Sequence, residues 1–130
     1  MAIDPECYLY GDLFFPSKLR ERIPNVEMRG IIEPGEIRAV GKYQGKPAPY
    51  GACYIVTPEN IGEDRIEWMA DFIAQHMESF KAAGADDIVY WLYWTGLQGN
   101  MELRPVELRK LADLGIPLAI DYTYETDELV

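Results

Sequence analysis

From Glu63 to Ala83, apolar residues recur at three- and four-residue steps, at Ile66, Met69, Ile73, Met77 and Phe80. That spacing predicts one long amphipathic helix with a single apolar stripe. Glu63, Asp64, Glu67 and Asp71 crowd its first half, where carboxylates meet the positive end of the helix dipole. Lys81 stands in the last turn, and Gly84 suits a left-handed terminator. Elsewhere the period drops to two. Cys7 to Phe14, Tyr50 to Val56 and Ile116 to Tyr124 read as strands, rich in tyrosine and aliphatic residues. Ile88 to Thr95 is apolar or aromatic on both sides, which predicts a strand inside a sheet. Gly96 to Asn100 reads as a hairpin connection into a short strand from Met101 to Leu103. Glu27 to Ile32 and Glu36 to Val40 are briefer extended pieces.

Two further helices open on proline. Pro16 precedes Ser17 to Arg22, and Pro105 begins a helix that runs to Leu114, with Gly115 just past its end; a first helical turn tolerates the missing N–H. Phe14-Phe15-Pro16-Ser17-Lys18-Leu19-Arg20 and Leu103-Arg104-Pro105-Val106-Glu107-Leu108-Arg109 share a pattern of apolar end, proline and Leu-Arg. This predicts two pseudo-repeated strand–helix units around the long central helix. The expected fold is α+β, a mainly antiparallel sheet with one long and two short helices on one face. Residues 1–130 are expected to form a single domain.

Composition narrows the function. Hydrophobic residues make up 48% of the chain, enough for a real core, and no apolar run approaches the length of a membrane helix. The opening Met1-Ala2-Ile3-Asp4-Pro5 lacks the basic end and apolar run of a secretion signal, so a cytoplasmic location is expected. Cys7 and Cys53 lie inside strand-like runs and read as buried free thiols. There is no C-x-x-C and only one histidine, so neither a metal nor another cofactor is expected. With 22 acidic and 12 basic residues the net charge is −10. Such a surface repels phosphates and anionic lipid, which argues against nucleic acid and membrane partners, and it attracts a basic protein.

Candidate chemistry is sparse. His76 lies beside the apolar stripe and reads as a boundary histidine, with no nucleophile motif near it. Asp86-Asp87 occupies a helix-to-strand turn, where aspartate serves the backbone. Gly96-x-x-Gly99 lacks the Lys-Ser/Thr of a phosphate loop. No residue is assigned a catalytic role.

The strands carry a stronger signal. Alternate residues point to opposite faces. Cys7, Leu9, Leu13, Cys53, Ile55, Ile116, Leu118 and Ile120 suit packing beneath helices. Tyr8, Tyr10, Asp12, Tyr50, Tyr54, Asp121 and Thr123 fall on the other face, joined by Trp91 and Tyr93 or by Tyr90 and Trp94, depending on phase. Such a tyrosine-rich face with scattered acids suits protein binding. The basic loop Gly41 to Pro49 is the element placed to fold over it.

The stretch Met101-Glu102-Leu103-Arg104-Pro105-Val106-Glu107-Leu108-Arg109-Lys110-Leu111-Ala112-Asp113-Leu114-Gly115-Ile116-Pro117-Leu118-Ala119-Ile120-Asp121-Tyr122 resembles the end of a bacterial family, the domain-of-unknown-function family four-two-seven-nine. The family ends on a strand, a Leu-x-Pro-x-x-Leu-x-x-Leu-Ala-x-Leu-Gly helix and a strand closing on Ile-Asp-x-Tyr; this chain matches the helix in full and the last strand at Ile120-Asp121. The first strand–helix unit and the Pro34-Gly35-Glu36 turn are similar too. The resemblance implies an α+β fold and no known catalytic residues; small acidic families of this kind often look like immunity proteins that neutralise a toxin. The expected function is therefore non-catalytic: an immunity protein holding a basic toxin domain through acidic and aromatic side chains. Candidate contacts are Glu63, Asp64, Glu67 and Asp71, then Asp121, Glu125, Asp127 and Glu128, then Tyr8, Tyr10, Trp91 and Tyr93. The alternative is a small-molecule-binding domain or enzyme, with Arg38, Lys42 and Lys46 holding an anionic ligand near loop 41–49.

Overall fold

A computed structural model describes residues 2–97 and 101–124. The elements are β1 (Ala2–Gly11), α1 (Pro16–Arg22), β2 (Met28–Ile32), β3 (Gly51–Val56), α2 (Arg65–Ala82), β4 (Asp87–Gly96), α3 (Pro105–Leu114) and β5 (Leu118–Tyr124). The strands form one mixed sheet in the order β2-β3-β1-β4-β5. All neighbours are antiparallel except β4 and β5, which run parallel. The fold is α+β and mainly antiparallel, and no helix among the described residues is long and apolar enough to cross a membrane.

One core lies between the sheet and its helices. Cys7 and Leu9 of β1, Cys53 and Ile55 of β3, and Ile88, Tyr90 and Leu92 of β4 meet Ile66, Met69, Ile73 and Phe80 of α2. The three- and four-residue spacing of α2 is thus its contact stripe over the central strands. Tyr90 is buried, and its hydroxyl donates to the Ile66 carbonyl at 2.9 Å. α3 packs on α2, with Leu111 inward, and ends at Gly115 in a left-handed conformation.

Several elements differ from the sequence-based expectation. β1 begins at Ala2, ahead of Cys7, and runs through Pro5. The Asp86 N–H donates to the Tyr10 carbonyl on the β4 side, so even residues of β1 direct their backbone toward β4 and odd ones toward β3. Pro5 therefore has its missing N–H beyond the end of β3, whose pairing stops at Glu6 opposite Val56. There the Thr57 hydroxyl donates to the Pro5 carbonyl at 2.6 Å. β1 ends at Gly11, which leaves Leu13 73% exposed instead of beneath the helices. Met101 to Leu103 is not a strand; Met101 and Leu103 pack against the core as the chain turns into α3. That segment with α3 forms a crossover, as a parallel β4–β5 pair demands; of the expected hairpin connection, residues 98–100 lie outside the described residues. Glu36 to Val40 makes only isolated bridges, Ile37 to Pro47 and Arg38 to Gln44. The two proline-opened segments are alike only locally: a strand precedes α1, and none directly precedes α3.

The turn from β1 into α1 is held by close backbone approach. A Cβ on Gly51 would land on the carbonyl of Phe14, and one on Gly84 on that of Leu13. Gly84 also has a φ of 102°. Phe14 is fully buried between them, and the Phe15 N–H donates to the Ala83 carbonyl at 3.0 Å. Gly51→Ala is expected to lower stability by roughly 2–4 kcal/mol, since backbone must move to relieve the overlap. Gly62→Ala, at a site with open space around it, is expected to stay within about 0.5 kcal/mol of the parent. Urea midpoints of the two variants check this; equal midpoints would remove the close approach as a stability determinant.

Candidate functional site: an open aromatic sheet face

The face of the sheet opposite the helices is built by strand alternation. β1 contributes Glu6, Tyr8 and Tyr10, β3 contributes Tyr54, and β4 contributes Trp91 and Tyr93. Register brings them together: Tyr8 lies opposite Tyr54, Glu6 opposite Trp91, and Tyr93 beside Asp121 of β5. The phase of β4 is thereby settled. Trp91 and Tyr93 face outward with Tyr8 and Tyr10, while Tyr90 and Trp94 are buried on the helix side.

The rings form a continuous platform. Tyr8 packs on Tyr54 with centroids 4.9 Å apart and meets Trp91 edge-on at 6.0 Å. Trp91 stacks with Tyr93 at 6.1 Å, and Tyr10 stacks with Tyr50 at 5.1 Å. All are half-buried by one another, and no described helix covers them. Loop 41–49 covers only one end, where Tyr43 meets Tyr50 edge-on at 6.2 Å. The Trp91 indole N–H is buried and finds no acceptor among the described residues.

Carboxylates surround the platform. Asp12 and Asp87 lie near Tyr10, Asp87 also near Tyr8, and Asp121 and Glu6 near Tyr93. Burial raises the Glu6 carboxyl pKa; Arg29 works against that, and Asp4 and Glu27 add to it. Arg29 is itself paired with Glu27 at 3.5 Å. Burial, then neighbouring tyrosines and Asp87, pushes the Tyr8 phenol up to about 12. Burial likewise pushes Tyr93 to about 12, with Tyr54, Glu6 and Asp121 contributing. The Tyr8 and Tyr93 phenols of the platform are therefore neutral at neutral pH, with carboxyl groups beside them. Ring faces attract cations, phenol tips donate hydrogen bonds, and the carboxylates pair with ammonium or guanidinium groups.

The other candidate residues lie elsewhere. Glu63 is exposed just ahead of α2. Asp64 and Glu67 flank Arg104 at 3.7 and 3.3 Å, and Asp71 accepts from Lys110 at 2.8 Å. These three acids tie α2 to α3. Arg104 also donates to Glu107, a buried carboxylate that accepts the Arg104 backbone N–H at 2.8 Å and so caps α3. Glu125, Asp127 and Glu128 lie outside the described residues. Arg38 pairs with Glu36 at 3.6 Å, and Lys42 sits 5.6 Å above the Tyr43 ring. Cavities of 270 and 310 Å³ lie beside α1 with β2 and beside α2 with β4, and neither is lined by Arg38, Lys42 or Lys46. His76 stacks on Phe72 at 4.5 Å, and burial lowers its pKa. Burial raises both thiols, Cys53 to about 12.

Glu6 and Asp87 were not among the expected contacts. The signal for Glu6 was its even parity with Tyr8 and Tyr10, hidden by Pro5. Asp87 reads as a turn residue, yet it is the first residue of β4.

In the unfolded chain the Tyr8 and Tyr93 phenols titrate near the ordinary 10.0, and in the fold near about 12. Their contribution to stability is thus complete below pH 10 and is lost as the pH rises toward 12. Phenolate absorbance should lag behind that of the denatured chain across this window, while the urea midpoint falls. Superimposable titrations of native and denatured protein would contradict the packing of the platform. No family model matches this chain, and no curated protein and no solved structure matches it.

Proposed function

We propose that this protein acts without catalysis, by docking a basic protein domain on its aromatic sheet face, as an immunity protein does when it caps a toxin. One observation carries the reading: six aromatic side chains, Tyr8, Tyr10, Tyr50, Tyr54, Trp91 and Tyr93, lie uncovered by any described helix on a chain of net charge −10, with carboxylates around them. Tyrosine and tryptophan carry interface affinity because they bury large areas at small entropic cost and retain a polar tip. The acids add speed and partner choice, because a negative surface steers a positive one. Glu6 is the acid placed to gain most, since its partial burial among like charges is relieved by a cation. The toxin as partner rests on the likeness of the last quarter of the chain to the family named above.

Co-expression with a toxin domain encoded beside this protein's gene tests the reading. The parent protein is expected to rescue growth. Tyr8→Ala and Tyr93→Ala should each weaken the purified complex by about 10- to 30-fold. Asp71→Asn, on the α2 flank, should leave it unchanged. The association rate should fall as salt rises through the physiological range. Equal killing with and without this protein, or a complex indifferent to Tyr8 and Tyr93, would refute the assignment.

A further inference from the structure

The outer edge of β5 is a regular strand edge that no described strand pairs with. Tyr90 donates its N–H to the Pro117 carbonyl, so odd residues of β5 bond to β4. The N–H and C=O groups of Leu118, Ile120, Tyr122 and Tyr124 therefore point outward. The same four side chains share the helix-side face, in register with Tyr90, Leu92, Trp94 and Gly96. No described helix covers them. They are 38, 56, 36 and 63% exposed, where the alternation pattern placed Leu118 and Ile120 beneath helices. Leu108, 50% exposed, lies on the flank of α3 turned away from the Lys110–Asp71 contact with α2. Tyr122 is already fixed, its ring 4.5 Å from Trp94 and its hydroxyl donating to the Gly96 carbonyl at 3.1 Å.

Exposed strand edges in monomers are ordinarily blunted by charge, proline or a bulge. The opposite edge, β2, is short, carries Arg29 and shifts register between Arg29 and Ile32. β5 has seven residues, a single charge at Asp121 and an unbroken register with β4. We propose that β5 pairs antiparallel with β5 of a second copy of this chain, joining two sheets about a twofold axis.

Two arguments support a second copy. The first is area: the four side chains expose on the order of 450 Å² per copy, so a symmetric pair can bury up to about 900 Å² of them, the scale of a weak, micromolar interface. The second is register. A twofold at Ile120 or at Tyr122 sets Asp121 opposite Ala119 or Thr123 of the other copy, and both avoid like charges face to face. Only a twofold at Asp121 opposes the two carboxylates.

Sedimentation of the full chain between about 1 and about 200 µM spans the dissociation of a micromolar dimer. The parent is expected to pass from monomer to dimer over that range. Ile120→Lys places a charge in the seam and should weaken pairing at least 100-fold. Ile120→Pro removes an outward N–H while sparing the bonds to β4, since proline is tolerated on strand edges; it should weaken pairing comparably while keeping the parent's circular dichroism. A parent that stays monomeric at the highest concentration overturns the proposal, as does a dimer untouched by both variants. A monomer that instead captures extended peptides from other proteins would also overturn it, by assigning the edge to a foreign strand. None of these results bears on Tyr8 or Tyr93, so docking on the aromatic face stands or falls separately.

Discussion

The close approach of backbones around Phe14 is the constraint on which the architecture depends. The turn after β1 is inserted between the first residue of β3 and the end of α2, and glycine at positions 51 and 84 is what lets three chain segments meet there. With Phe14 fully buried at that point, the last turn of α2 is pinned over the ends of β1 and β3. Arg65 fixes the other end of α2, donating to the carbonyls of Ile3, Pro58 and Ile61 at 3.2, 3.0 and 3.1 Å and pairing with Asp4 at 3.1 Å. A helix held at both ends lies along the central strands, and its apolar stripe consumes the odd-numbered face of β1. The even-numbered face is left without a cover.

That division also sorts the carboxylates. Those on α2 meet Arg104 and Lys110 and hold α3 in place. As exposed pairs they contribute little individually, but Arg104 also satisfies Glu107, whose burial would otherwise leave a costly unpaired charge. The carboxylates on the strands have fewer internal duties. Asp121 and Asp87 sit among tyrosines, where the neighbouring groups are hydroxyls and ring edges. The helix acids thus serve the protein's own assembly, as does Asp4 of β1 through Arg65, while Asp87 and Asp121 make no ion pair among the described residues.

How much of this was legible follows from how local each signal is. The α2 stripe and the glycines after α2 and α3 depend on residues within one turn, and they are found within a few residues of their expected places. The tyrosine face is also local, because parity along a strand is enough to put Tyr8, Tyr10 and Tyr54 on one side. Whether Trp91 or Trp94 joins them was not local: it depends on the register of β4 against β1. The expected first strand began at Cys7, and only the point at which β3 stops shows that β1 can run through Pro5 without its N–H. The parallel course of β5 was hidden for a similar reason. Glycines after β4 suggest a tight reversal, while the sheet order comes from the crossover through α3. Leu118 and Ile120 alternate as core residues do, yet sit one strand beyond the reach of α2.

The proposed docking face and the proposed seam would meet in one assembly. A twofold seam at β5 is perpendicular to the sheet, so both aromatic faces come to lie on the same side, with an Asp121 from each copy near the join. The net charge of −10 opposes such pairing, but exposed charges beyond about 8 Å are largely screened at physiological salt, and β5 itself carries one charge. What repulsion remains is concentrated where a basic partner would sit. Under the proposed docking, cationic groups on either platform would reduce it, so docking and the proposed pairing would favour each other by linkage while remaining separately testable. The apolar edge and the acidic face would then act on one equilibrium, and α2 covers neither of them.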